Sequence, residues 1–288
     1  MTSPTPARVK ARKLLTRLPR KRRDKPPPVA DAPRRFRAVV AYDGTPYAGF
    51  QRQRDHVAVQ EILEACIESA TQLPVVIGGA GRTDSGVHAD GQVVSFDSTT
   101  ALPASALRHL CDHMLPEDVK VLRLEEAPPD FDPQRHCVRK LYRYCVIEVP
   151  RPSPRLRHVA WQIEGTLDLD AMRAGAARLV GTHDFRAFRS DPGQGRRDFG
   201  TTRTVERIDV VRRGEYVLVD VAGPGFLYMM VRNIAAALVA VGLGDRTPSW
   251  VGDVLASRDR RRAAPPAPAH GLTLVRVDYA DGFGLDGP

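Results

Sequence analysis

The apolar residues between Phe36 and Glu125 repeatedly change period, and the order of those periods restricts the fold more than any other feature of the chain. Phe36 to Tyr42 reads as a strand, closed by the turn residues Asp43-Gly44-Thr45-Pro46. Val59, Ile62, Leu63, Cys66, Ile67 and Ala70 then follow the i, i+3, i+4, i+7, i+8 spacing of an amphipathic helix, which Pro74 stops. Val75 to Ala80 is a short apolar run and Gly91 to Asp97 alternates with period two. Ala104 to Met114 returns to a helical stripe through Leu107, Leu110, Cys111 and Met114, and Val119 to Glu125 alternates again. Strand, helix, strand, strand, helix, strand is the order of a ferredoxin-like α+β half whose sheet keeps one face free.

Val138 to Val149 reads as a longer strand, with Lys140, Tyr142 and Tyr144 on one face and Leu141, Cys145 and Ile147 on the other. Pro150-Arg151-Pro152-Ser153-Pro154 marks the best internal boundary, so the sequence divides into halves at 34–149 and 150–288. In the second half, Asp168 to Val180 reads as a helix, Thr204 to Arg212 and Glu215 to Ala222 as strands, and Phe226 to Val241 as an apolar helix. That helix carries Leu227, Met230, Val231, Ile234 and Leu238 inward. Tyr228 and Arg232, at i and i+4, share its less apolar face, where Arg232 either snorkels to solvent or is held by a carboxylate. Trp250 to Leu255 reads as a short helix, Arg258 to Arg262 as a basic run, and Leu272 to Ala280 as the last strand.

The formal charge of +9 is unevenly spread. Residues 1–33 hold ten Lys or Arg against two Asp, whereas residues 34–288 hold 33 against 32. The first 33 residues, with seven prolines and no sustained apolar period, are expected to be a disordered basic extension; a non-specific nucleic-acid arm, a targeting extension and a mislabelled start all fit this pattern. Nothing in the sequence approaches the roughly 18 consecutive apolar residues of a membrane span, and the N-terminus lacks the apolar centre of a secretory signal, so the expected compartment is the cytoplasm. Cys66, Cys111, Cys137 and Cys145 show no C-x-x-C spacing, and neither a disulfide framework nor a metal site is expected.

The chemistry is expected on Gly81-Arg82-Thr83-Asp84-Ser85-Gly86-Val87-His88-Ala89, a glycine-flanked bend between two strand-like runs that carries a carboxylate. Taken alone, Thr-Asp-Ser-Gly is an ordinary turn whose Asp bonds its own backbone. The longer run from Gly81 through Gly91-Gln92-Val93 resembles the active-site motif of the tRNA pseudouridine synthase A family. The same family's opening motif is matched by Tyr42, Asp43, Gly44, Tyr47, Gly49, Phe50, Gln51 and Gln53, a loop whose aromatics and amides suit stacking and backbone contacts to RNA. Gly223-x-Gly225-Phe226-Leu227-Tyr228-x-x-Val231-Arg232-Asn233 and the closing Gly271, Leu272 and Leu274 match further motifs.

The resemblance implies two ferredoxin-like α/β halves that share a mostly antiparallel central sheet with flanking helices, and an active-site cleft between the halves. It implies isomerisation of uridine to pseudouridine at positions 38, 39 and 40 of tRNA, by a homodimer and with no cofactor. Asp84 takes the glycosidic step and Tyr142 the C5 proton, and Arg232 pairs with Asp84. Arg82 fills the space left by the flipped uridine and Leu272 packs on the flipped base. Gln51 and Lys140 are further substrate-binding candidates. Two stretches depart from the family pattern. Phe131-Asp132-Pro133-Gln134 stands where members commonly read Phe-x-Ala-Arg, with Arg135 one place later, and Ser190 to Gly200 is longer than usual.

Two other classes compete. A non-catalytic RNA-binding module fits ferredoxin-like halves but has no need of Asp84, Tyr142 and Arg232 together. Asp84-Ser85-Gly86 also fits the aspartic-protease tripeptide, which needs two aspartates sharing a proton; only one such tripeptide exists here, and the strong helices argue against an all-β protease.

Overall fold

A computed structural model describes residues 27–191 and 200–280. Residues 1–26 of the basic extension and 192–199 of the long loop lie outside the described residues. The fold is α+β, with mostly antiparallel strands and five α-helices among the described residues. No helix among them is long and apolar enough to cross a membrane. The described residues form two compact units, divided between 138 and 139 and between 273 and 274, with the stretch after 273 belonging to the first.

In the first unit, β1 (Val29–Tyr42) lies between β4 (Val119–Glu126) and β3 (His88–Thr100), antiparallel to both. The short β2 (Gly78–Gly79) also pairs with β3. The last strand, β11 (Leu272–Tyr279), follows β3 in the sheet, and most of it belongs to this unit. A Cβ on Gly91 would lie 2.5 Å from the Val275 carbonyl oxygen, so glycine there permits close approach of the two strands. Phe36 and Phe96 are register partners and stack at 5.3 Å. Helix α1 (Val59–Thr71) buries all six residues of the expected stripe, each contributing about 1.5–3 kcal/mol if large and aliphatic. Helix α2 (Ala104–Met114) buries Leu107 and Cys111 fully and Leu110 and Met114 only partly.

In the second unit, β5 (Cys137–Glu148), whose first two residues belong to the first unit, pairs with β10 (Tyr216–Gly223), and β10 pairs with β9 (Arg207–Arg213), all antiparallel. The three-residue β6 (Trp161–Ile163) runs parallel to β5. A separate ribbon joins β7 (Gly181–Asp184) to β8 (Thr202–Val205). Helix α3 (Leu169–Ala176) is capped by Asp168, whose Oδ1 accepts from the N–H groups of Asp170 and Ala171. Helix α4 (Met230–Gly242) is apolar on nearly every side and accordingly buried, and α5 (Pro248–Ser257) starts with a proline in its first turn.

Several boundaries differ from the sequence reading, and four of the differences have a visible cause or consequence. Strand β1 starts at Val29, seven residues ahead of Phe36, because Val29 pairs with Thr100 and Pro28 O accepts from Ala101 N. Most of the run Val75 to Ala80 is loop, and only Gly78 and Gly79 join the sheet. The stretch read as one strand from Thr204 to Arg212 is two, broken at Glu206. Helix α4 starts at Met230 because Met229 adopts the left-handed conformation (φ +58°) at its N-cap, so Tyr228 precedes the helix and shares no face with Arg232.

Candidate functional site

The Asp84 loop is held by contacts from the residues on both sides of it. Gly86 takes φ +82° and Val87 N–H donates to Asp84 O at 3.1 Å, which closes the turn. The Thr83 hydroxyl is buried against the Tyr42 hydroxyl at 2.8 Å, and Thr83 O accepts from Phe50 N–H at 3.1 Å. Burial pushes the Tyr42 hydroxyl up to about 12, so it stays a neutral hydrogen-bonding group. Ser85 Oγ donates to Tyr47 O at 3.2 Å, and Gln92, fully buried on β3, donates through Nε2 to Gly81 O at 2.8 Å. Asp84 is part-buried in this frame, and Arg82 is exposed two residues earlier.

The bracket holding the loop is the segment 43–50. A Cβ on Gly44 would lie 1.9 Å from Val87 O, and one on Gly49, where φ is +91°, would lie 2.5 Å from Thr83 O. These two glycines let backbone lie directly on backbone. The far side of the bracket caps helix α1, since Val59 N–H donates to Gly49 O and Gln60 N–H to Phe50 O. The Asp43 carboxylate lies 3.1 Å from His88 Nδ1, and Gly44 N lies 3.2 Å from the same nitrogen. That His88 hydrogen bond holds the Asp43 carboxyl well below its usual range, against the opposing effect of burial.

The opening motif therefore serves the Asp84 loop, which corrects one sequence expectation. Tyr42, Tyr47 and Phe50 are 4%, 1% and 3% exposed, so none of these aromatics offers a stacking face to RNA. The Tyr47 hydroxyl instead donates to Asp118 Oδ1 at 2.6 Å. Gln51, at the end of the bracket, is exposed, whereas the neighbouring Arg52 pairs with the buried Glu64 of α1.

In the second unit, Lys140 and Tyr142 are both 8% exposed on β5, and both meet the segment that follows β10. Lys140 Nζ donates to Pro224 O at 3.3 Å, and the Tyr142 ring packs edge-on against Phe226 at 5.5 Å. Arg232 lies in the first turn of α4 and is part-buried. Its Nε donates to Ala267 O at 2.7 Å, so a main-chain carbonyl holds the side chain and it is not left to snorkel. Leu272, 5% exposed, opens β11. Asp84, Arg82 and Gln51 thus belong to the first unit, and Tyr142, Lys140, Arg232 and Leu272 to the second.

The departure at Phe131 also has a local cause. Asp132 Oδ1 accepts from both Gln134 N–H and Arg135 N–H, an Asx turn that spends the carboxylate on backbone, and Pro133 O accepts from the Tyr279 hydroxyl. Thr83 and Gln92 stand in the motif read from the sequence, but their role as supports of the loop was not read there. A signal was available for Gln92, a polar residue within the period-two run of β3, but not for Thr83, whose neighbours Arg82, Asp84 and Ser85 are polar.

The model of the family described as tRNA pseudouridine synthase matches residues 38–151 and 176–280, which takes in every motif above. The chain belongs to the tRNA pseudouridine synthase family. The tRNA pseudouridine synthase A of Myxococcus xanthus is 43% identical over 249 residues, covering 86% of this chain and 93% of the relative. That of Syntrophotalea carbinolica is 41% identical over 244 residues, covering 85% and 96%, and that of Geotalea uraniireducens 38% over 246, covering 85% and 100%.

Proposed function

We propose that this protein isomerises uridine to pseudouridine in tRNA, at positions 38, 39 and 40 of the anticodon arm. The observation that carries this reading is the bracketed Asp84 loop: two glycine contacts and five hydrogen bonds fix the main chain that carries the Asp84 carboxylate. The reaction breaks N1–C1′, forms C5–C1′, leaves a proton on N1 and removes one from C5, so atoms balance with no cofactor. Asp84 takes the glycosidic step in its ionised form, and a guanidinium beside it, the role of Arg232, favours that form. A stacked uridine cannot present C1′ and C5 to side chains, so it is flipped out at a cost of a few kcal/mol, with Arg82 filling the gap and Leu272 packing on the base. Lys140 and Gln51 contact the substrate. The test is pseudouridine formation in an unmodified tRNA transcript, against the same transcript with cytidine at positions 38 to 40. Pseudouridine in the first and none in the second is the expected result, and equal amounts in both would move the site elsewhere on the tRNA.

Tyr142 removes the C5 proton, and its ring already packs on Phe226. Tyr142→Phe keeps that packing and should form no pseudouridine product while leaving the fold's thermal midpoint almost unchanged. Turnover at the wild-type rate would return Tyr142 to a packing role.

The active form is a cytoplasmic homodimer with one tRNA crossing both subunits. Analytical ultracentrifugation at working concentration should show the dimer mass, and a fully active monomer would reject it.

Since residues 34–288 are almost neutral, specific grip on tRNA comes from local arginines while the basic extension adds a diffuse term by releasing counterions. A truncation starting at Pro27, which spares β1, should weaken binding chiefly at low salt. Each lost phosphate contact flattens the slope of log affinity against log salt by roughly 0.7 to 0.9. Saturated turnover should be unchanged, and identical slopes for both chains would make the extension a bystander.

A further inference from the structure

We infer that Tyr144 is a positioning residue that fixes the Arg232 guanidinium and the lead into Leu272 through the segment 267–271; this rests on the reading of Arg232 as part of the catalytic site. Tyr144 stands two residues after Tyr142 on β5 and therefore on the same face. It is fully buried, and its hydroxyl donates to Pro268 O at 2.7 Å. The preceding carbonyl, that of Ala267, accepts from Arg232 Nε at 2.7 Å, and Ala267 N–H donates back to Arg232 O at 3.3 Å. Consecutive carbonyls of one short segment are thus shared between the tyrosine and the arginine. Pro268 stiffens the link, because its ring fixes φ and its nitrogen carries no hydrogen that could pair elsewhere. The orientation of one carbonyl consequently sets that of the other.

The ring acts on the same segment from its other end. A Cβ on Gly271 would lie 2.7 to 2.8 Å from Cζ, Cε1 and Oη of Tyr144, so glycine is what lets the chain pass over the ring one residue before Leu272. Trp161 packs edge-on against the same ring at 6.1 Å. Burial pushes the Tyr144 hydroxyl up and the positive charge of Arg232 opposes it, which agrees with the two side chains standing within electrostatic reach. The hydroxyl is a neutral donor and takes no part in proton transfer. One face of β5 accordingly presents a reacting tyrosine at 142 and an anchoring tyrosine at 144.

The test is Tyr144→Phe, which removes the hydroxyl and keeps the ring. Misplacing a catalytic group by a fraction of an ångström is enough to lower kcat by about tenfold or more. We expect that fall at an unchanged KM for tRNA, with faster hydrogen exchange of the Arg232 Nε–H by NMR as its bond to Ala267 O loosens. Tyr144→Phe should cost nothing further in an Arg232→Met background. Gly271→Ala, which pushes the ring from the other side, should give the same faster exchange and the same lowered kcat. Wild-type kcat and wild-type exchange in both variants would overturn the inference, as would an equal loss with and without Arg232. A wild-type chain with no synthase activity would instead refute the functional reading, and the exchange measurement would still decide this one.

Discussion

Asp84→Asn should bind tRNA as tightly as the wild type and lose at least about 10³-fold in kcat, the size of effect expected when a group that acts only in the transition state is removed. The substitution is nearly isosteric. The loop around it is fixed through Thr83, Ser85, the Val87 N–H bond to Asp84 O and the Gln92 bond to Gly81 O, none of which uses the carboxylate. The thermal midpoint should therefore barely move. Parallel measurements of tRNA affinity, single-turnover rate and thermal midpoint separate the chemical role from a structural one. Conversion within about tenfold of wild type would remove Asp84 from the reaction.

Gly49→Ala should be nearly as damaging to turnover although residue 49 touches no substrate. At φ +91° any side chain is strained, typically by about 1–3 kcal/mol. The added methyl would also lie 2.5 Å from Thr83 O and 3.1 Å from the Asp84 carbonyl carbon, and both are backbone atoms that cannot rotate aside. Relief requires the Asp84 loop to move away from the bracket, and a shift of about 1 Å at a catalytic group costs roughly 10²-fold. The expected result is a lower single-turnover rate with tRNA affinity within about twofold of wild type, and a lower thermal midpoint. A normal rate would show that the bracket does not position the carboxylate.

The helices were legible where one face is apolar and the other polar. The stripe from Val59 to Ala70 gave α1 nearly residue for residue, because a single buried face imposes the 3.6-residue period. The α4 start was not legible, since Phe226 and Leu227 continue the apolar run while the break depends on the left-handed backbone at Met229, which composition does not encode. The Asp84 loop was readable as a motif, but its bracket was not. Tyr42, Tyr47 and Phe50 look like RNA-stacking groups in a sequence, and only burial shows that they hold protein. Gly44 and Gly49 read as loop residues, whereas their purpose is contact with Val87 O and Thr83 O some forty residues away. The path of β11 was equally hidden: the run Leu272 to Ala280 announces a strand, but not that it lies beside β3.

Release of tritium from tRNA labelled at C5 of uridine tests the central claim most directly, because the label leaves only if C5 exchanges its hydrogen for the bond to C1′. The wild-type chain should release tritium in step with pseudouridine formed, and Asp84→Asn should bind the same tRNA and release none. Binding without release by the wild-type chain would contradict the account and leave a non-catalytic RNA-binding protein in its place.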